Sequence, residues 1–327
     1  MPNKNGSIPQ PSLCRLAIFF CILLVLCYSN TFNASWQLDD SPQILNNDRI
    51  QISELSLNQL YKATHARIGS NTLYRPVATL TLGLNWYYGK NNVFGYHVVN
   101  FLIHFSTCWL LFLTIKTLFS TPRLKARYHF TQIYFIAALA AILWALNPAQ
   151  IQAVTYIVQR MTLLATMFFL LGMIVFVRYQ INRKYPVMSF ALVFVFFALS
   201  LLSKEIGITL PLVLILYLSV FSTTGYRKMF FGFFGVLSFY VLVAWIYGFS
   251  HFFHPLDTLL PGRDYTPIER VMTQWRVLLH YLSLYFFPLL SRIHLEYIYP
   301  VSRSLLEPFV ALPSLVILLL TGFAGIR

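Results

Sequence analysis

Residues Tyr96–Phe119 read YHVVNFLIHFSTCWLLFLTIKTLF, a run of 24 residues with one formal charge, Lys116. A helix rises about 1.5 Å per residue and the hydrocarbon core of a bilayer is roughly 30 Å thick, so about 20 apolar residues cross it. This block is long enough to span. Working outward from it, Leu13–Tyr28, Phe130–Ala145, Met161–Val177, Pro186–Leu202, Ile206–Phe221, Met229–Phe249 and Phe309–Gly325 share its character, several of them needing flanking residues to reach across. Of the 327 residues in the chain 57% are hydrophobic and only 10% are charged, against about 25% charged in a soluble domain. The pattern excludes a water-soluble globular protein and a disordered chain. It predicts an all-α, polytopic membrane helix bundle of about eight spans, residues 1–327 forming a single membrane-embedded domain. The segment after the first block, Cys27 to Phe32, lacks a small-x-small cleavage pattern, so that block reads as a retained span and not as a signal peptide.

The chain carries 24 Lys+Arg against 10 Asp+Glu, a net charge of +14. In a soluble protein this excess suggests nucleic acid. Here the basic residues punctuate apolar blocks, so cytoplasmic loops and anionic lipid headgroups account for them and no nucleic-acid partner is expected. Arg123, Lys125 and Arg127 follow the second block, Arg178, Arg183 and Lys184 the fourth, and Arg227 and Lys228 the sixth. Placing these acid-free loops inside predicts a cytoplasmic N-terminus. It also puts Ser29–Gly95, Ala149–Arg160 and the Ser203-Lys204-Glu205 turn on the outside, with Asp39, Asp40, Asp48, Glu54 and Glu205. A ninth block, Val271–Leu290, contains Arg276 and His280 and reads as a helix at the outer interface or a re-entrant one, which keeps the remaining acids outside too; an ordinary span would instead move Arg292 and Arg303 inside. Cys14, Cys21, Cys27 and Cys108 all lie in apolar stretches without metal-ligand spacing, so neither a disulfide framework nor a metal site is expected.

The polar, aromatic-rich material therefore gathers at one face. Asp39-Asp40 lies shortly beyond the first block; adjacent carboxylates repel, and one held near its neighbour can serve as a general base, while an ordinary Asp-Asp-Ser-Pro turn is the alternative. Arg75, in Leu73-Tyr74-Arg75-Pro76, has the planar fork that matches phosphate oxygens, or it pairs with headgroups. His97, Asn100 and His104 share a helical face, as a polar seam or as interhelical hydrogen bonding. From Pro148 a helix is expected in which Gln152, Tyr156 and Gln159 share a face, suited to sugar or acceptor contacts or to solvent. Lys204 and Glu205 join two spans with almost no loop, as a phosphate-facing lysine oriented by its neighbour or as two charges at the membrane edge.

In order along the chain come the acidic pair, Tyr74-Arg75-Pro76, Gly95-Tyr96-His97-Val98-Val99-Asn100, Ala153 to Arg160, Ser203-Lys204-Glu205-Ile206-Gly207, Thr273-Gln274-Trp275-Arg276-Val277 and Ser302 to Pro308. This ordered set resembles the membrane part of the bacterial relatives of the transmembrane and tetratricopeptide repeat O-mannosyltransferases, within the GT-C superfamily of glycosyltransferases. The resemblance implies transfer of a mannose-like sugar from a polyprenyl-phosphate donor to an acceptor protein or glycan at the external face. It needs no cofactor beyond that donor, and implies a bacterial inner membrane, with an endomembrane as the eukaryotic equivalent. By position, Asp39 or Asp40 matches the superfamily's catalytic carboxylate, Asp39 being favoured, with Arg75 and Lys204, then Arg160, as phosphate ligands. Glu205, Gln152, Tyr156 and His97 complete the expected substrate-binding set. Members of the family continue into further spans and a tetratricopeptide array; no repeat of about 34 residues is visible here, so the chain is expected to be C-terminally incomplete. The competing expectation is a non-catalytic membrane protein, a lipid-linked sugar transporter or a truncated scaffold.

Overall fold

Helix starts are marked by proline, whose missing N–H is an orphan at the first helical position in any case. Pro76, Pro122, Pro186 and Pro267 each open a helix. A computed structural model describes residues 12–66, 74–221, 265–293, 299–308 and 310–326, and every regular element among them is helical. The chain divides into two compact units, Met1–Tyr226 and Arg227–Arg327.

The first unit contains α1 (Leu13–Tyr28), α2 (Leu57–Thr64), α3 (Pro76–Gly89), α4 (Val93–Phe119), α5 (Pro122–Lys125), α6 (Phe130–Leu146), α7 (Ile151–Val154), α8 (Arg160–Asn182), α9 (Pro186–Ser203) and α10 (Leu210–Phe221). One core packs α1, α4 and α6 through Phe20, Leu24, Phe112, Cys108, Ala137 and Ala141. The alanines let the backbones approach closely enough for Cys108 Sγ to reach the Ala141 carbonyl at 3.5 Å. A second core joins α8, α9 and α10 through Phe176, Leu210, Leu214 and Tyr217, with Val193 and Phe197 of α9 packed against it. Outward-facing apolar residues such as Phe19, Leu26, Phe194 and Leu216 stay exposed on the helix surfaces. That is the inverse of a soluble protein and the expected surface of a helix meeting lipid. The protein is an integral membrane protein.

Among the described residues, four helices are long and apolar enough to cross a bilayer: Leu13–Asn33, Val93–Phe119, Ile157–Asn182 and Pro186–Ser203. A fifth span results if Phe130–Leu146 and Pro148–Val154 are counted together across their 55° bend. The count of about eight is therefore not reached among the described residues. Ile206–Phe221 and Phe309–Gly325 correspond to shorter apolar helices, and Met229–Phe249 lies outside the described residues. The helix expected from Pro148 is also corrected. Pro148 breaks the chain away from α6, a 3-10 turn and the four-residue α7 follow, and extended backbone at Tyr156 separates them from a further 3-10 turn leading into α8. The interruption leaves carbonyls unpaired, and Ala145 O is met by Tyr28 Oη at 2.9 Å and His104 Nε2 at 3.0 Å.

Charge sorts to opposite ends of this unit. Arg123, Lys125 and Arg127 lie in and just after α5, which follows α4, and Arg183 and Lys184 follow α8. Arg123 also bonds the Val220 carbonyl near the end of α10. At the other end Thr31 bonds Thr155, Arg75 bonds Glu205 and Lys204 bonds Gln159, which brings together the first loop and the junctions before α3, before α8 and after α9.

The second unit holds α11 (Pro267–Phe286) and α12 (Ala311–Ile326). A capping box between Thr266 and Glu269 starts α11. This helix covers most of Val271–Leu290; its charged and polar residues keep it out of the group apolar enough to span.

Candidate functional site

The site is built outward from the short segment between α7 and α8. Val158 donates its N–H to Asp40 Oδ1 at 2.8 Å, and Gln37 donates to Asp40 Oδ2 at 3.0 Å. Asp40 is fully buried. Burial pushes its carboxyl above the usual carboxylate range, and the backbone N–H groups of Gln37, Val158 and Ile157 pull it part of the way back. Both oxygens are thus occupied in stapling the first loop to the α8 entrance. Three more contacts fix the same loop: Thr31 with Thr155 at 2.9 Å, His97 Nε2 with the Ala34 carbonyl at 3.0 Å, and Trp36 edge-on to Tyr96.

Asp39 has the opposite environment. Its neighbour Leu38 adopts φ 34°, in the left-handed region that side chains other than glycine rarely occupy, inside a turn closed by Asp40 N–H to Gln37 O at 2.8 Å. The turn leaves Asp39 exposed. Its backbone N–H donates to Tyr156 Oη at 2.9 Å. Burial, with the Asp39 charge beside it, pushes the Tyr156 phenol up to about 12, so it stays protonated across the ordinary pH range. The resemblance favours Asp39 over Asp40 without separating them; their surroundings differ, one carboxylate given to backbone N–H groups and the other exposed beside the Tyr156 hydroxyl.

The basic residues divide in a similar way. Arg160 is fully buried at the start of α8 and donates to Asn100 Oδ1 (2.7 Å), Thr81 O (3.0 Å) and Tyr96 O (3.1 Å), with its guanidinium over the Tyr96 ring. It ties α3, α4 and α8 together and faces no open space. Arg75 forms a two-point pair with Glu205, Nε to Oε1 and Nη2 to Oε2, both 2.8 Å, and its Nη1 meets the Met161 sulfur at 2.7 Å. Burial pushes the Glu205 carboxyl up, and the Arg75 hydrogen bonds outweigh it, holding the group below the usual range. Lys204 Nζ, by contrast, donates to neutral atoms: Thr162 Oγ1 at 2.7 Å and Gln159 Oε1 at 3.1 Å. Burial, then the nearby Arg75 charge, draws the Lys204 ammonium below its ordinary value.

The tight turn that presents Lys204 depends on Gly207. A Cβ there would stand 2.5 Å from Leu201 N and 2.6 Å from the Ser200 carbonyl carbon, so only glycine lets the turn fold back on the end of α9. The structure thus brings Asp39, Asp40, Tyr156 and Lys204 onto one short segment and places Arg75 and Glu205 beside it. Gln152 is half-buried on α7, one element earlier. His97 and Arg160 hold the frame. The residues passed over in sequence are Gln159 as a partner of Lys204, and Thr162. Their spacing of three is the signal that carries them, because Thr162 Oγ1 also bonds Gln159 Oε1 at 2.7 Å.

Over 213 residues, 64% of its length, the chain is 30% identical to protein O-mannosyl-transferase Tmtc1 of Drosophila melanogaster. The chain is homologous to the protein O-mannosyl-transferases. It is also 30% identical over 204 residues to a protein O-mannosyl-transferase of Caenorhabditis elegans and over 197 residues to human TMTC4, covering 61% and 57% of this chain. The matches take in 23%, 27% and 26% of these relatives, so the chain spans about a quarter of the length of the curated O-mannosyl-transferases it matches. All three are animal proteins, and the bacterial inner membrane implied by the resemblance finds no support among them. No family model and no solved structure matches.

Proposed function

We propose that the chain is the membrane part of a glycosyltransferase that moves a mannose-like sugar from a polyprenyl-phosphate donor to a protein hydroxyl at the non-cytoplasmic face. The names of the relatives support sugar transfer to protein. The observation that carries the reading is the unequal treatment of two adjacent carboxylates, with Asp40 clamped on backbone N–H groups so that Asp39 is held exposed above the α8 entrance. In this reading Asp39 takes the proton of the acceptor hydroxyl as that oxygen forms its bond to the sugar's anomeric carbon. The bond from that carbon to the donor phosphate breaks, and the electron pair leaves with the polyprenyl phosphate. A phosphate is already a good leaving group, so no second carboxylate is needed as acid. Lys204, whose partners are the neutral Gln159 and Thr162, is the cation we assign to the charge growing on that phosphate. Arg75 lends its charge to the same neighbourhood while Glu205 fixes its fork.

The topology proposed with it has the basic segments after α4 and α8 in the cytoplasm and the N-terminus on the same side. The test is transfer of radiolabelled mannose from a synthetic polyprenyl phosphate to a serine- and threonine-containing peptide, using membranes that carry the protein. Asp39→Asn is expected to lower transfer by about 10²–10⁴-fold, the usual contribution of a positioned general base. Transfer at the unmodified rate contradicts the assignment.

A further inference from the structure

Tyr156 and Gln159 stand one 3-10 turn apart, with Ile157–Gln159 forming that turn and the Gln159 N–H donating to the Tyr156 carbonyl at 3.0 Å. Tyr156 enters this turn with extended backbone and Gln159 closes it, so the two side chains flank one short turn. Their side chains reach two different groups. Tyr156 Oη accepts the Asp39 N–H at 2.9 Å, and Gln159 Oε1 accepts from Lys204 Nζ at 3.1 Å. The turn itself cannot drift, because the Val158 N–H between them is held by buried Asp40 and Arg160 directly after them is locked into α3 and α4. A base on the first loop and a cation after α9, 165 positions apart in sequence (39 and 204), are therefore indexed to the same three residues.

We propose that Tyr156 and Gln159 are positioning residues, a matched pair that sets the Asp39 carboxylate and the Lys204 ammonium in register for one sugar-transfer event, and not contacts for sugar or acceptor. This rests on the assignment of Asp39 and Lys204 made above. Tyr156 has its hydroxyl oxygen committed to the Asp39 backbone and its ring buried, which leaves little of it to meet a substrate. Gln159 has its carbonyl oxygen shared between Lys204 and Thr162. Misplacing a reacting group by about 1 Å can lower a rate by about 100-fold without removing any chemistry. The two residues act on different partners, so their losses fall on different kinetic constants.

The experiment uses the full chain in nanodiscs, with synthetic polyprenyl-phosphate mannose as the donor and a serine- and threonine-containing peptide as acceptor. Tyr156→Phe, which keeps the ring, is expected to lower kcat about tenfold with the donor KM unchanged. Gln159→Leu is expected to raise the donor KM about tenfold with kcat within about twofold. Gln159→Glu keeps an acceptor for Lys204 but cancels its charge, and is expected to raise the donor KM further. Melting temperatures are followed in parallel, and the split between the two constants is measured on the folded fraction. If Tyr156→Phe retains the parental kcat while Asp39→Asn is inactive, or if both variants lower kcat and raise KM together, the positioning pair is overturned and the base stands. If Asp39→Asn is fully active, or the parent chain transfers nothing from this donor, the transferase assignment fails and takes the pair with it.

Discussion

Two adjacent charged pairs meet at the same end of the first unit; each fixes a carboxylate, and the remaining charge is negative in one and positive in the other. In Asp39-Asp40 the second residue is buried on two backbone N–H groups and the first faces outward. In Lys204-Glu205 the carboxylate is given to Arg75, and the lysine keeps neutral partners. Each pair uses one charge to fix its loop, and the other is the one assigned to the substrate in the proposed function. The difference is in how the fixed charge is satisfied. Asp40 is deeply buried and depends on exact backbone geometry, whereas Glu205 is half exposed and depends on a single guanidinium. The first arrangement tolerates little change; the second is screened by water and tolerates more.

The strongest way to break the comparison is to remove the frame that both pairs share. Arg160→Ala empties the space between α3, α4 and α8 and leaves Asn100 Oδ1, Thr81 O and Tyr96 O without this donor. A loss of about 3 kcal/mol in stability is expected from the cavity and the orphaned acceptors together, read as a fall in melting temperature in detergent. An unchanged melting temperature would show that the two pairs do not depend on a common anchor.

Gly207→Ala sharpens the comparison by disturbing the second pair alone. The added methyl group meets backbone atoms at 2.5–2.6 Å, which do not swing aside as a side chain does. About 2 kcal/mol of destabilisation is expected from overpacking. Limited proteolysis should find the chain between α9 and α10 more open, with the first loop as protected as before.

The smallest effect is expected at Glu205. Its carboxyl is held below the usual range, so the stabilisation from its pairing with Arg75 is fully present above the ordinary carboxylate range and is lost as pH falls through the depressed value. With the carboxylate about half exposed, Glu205→Gln should lower stability by roughly 0.5 kcal/mol at neutral pH. The gap between parent and variant should close on acidification. A gap that widens at low pH would mean that the carboxyl is stabilised in its neutral form instead.

Much of this was legible from residue pattern alone. The helices α1, α4, α8 and α9 are long apolar runs with polar ends, and their spans follow from length and hydropathy. The sorting of Arg123, Lys125, Arg127, Arg183 and Lys184 away from Asp39 and Glu205 is likewise a property of order along the chain. The break at Tyr156 was not legible, because Ile151–Arg160 has no glycine or internal proline to announce it. It arises from tertiary contacts to Asp39 and Asp40. The difference in burial between Asp39 and Asp40 was hidden for a related reason. Neighbouring identical residues carry no local signal of which one a distant N–H will claim. Arg160 resembled Arg75 and Lys204 in sequence, and only its enclosure by Asn100, Thr81 and Tyr96 marks it as part of the frame.

The most direct test of the account compares Asp39→Asn with Asp40→Asn, scoring thermal stability and mannose transfer from polyprenyl phosphate on the same preparations. Asn at position 40 can accept only one of the two N–H groups through its single carbonyl oxygen, so this variant is expected to melt lower by the equivalent of about 1–3 kcal/mol. Asp39→Asn is expected to melt like the parent and to lose nearly all transfer. An Asp39→Asn protein that transfers mannose at the parental rate, or an Asp40→Asn protein as stable as the parent, would contradict the division of roles on which the site is built.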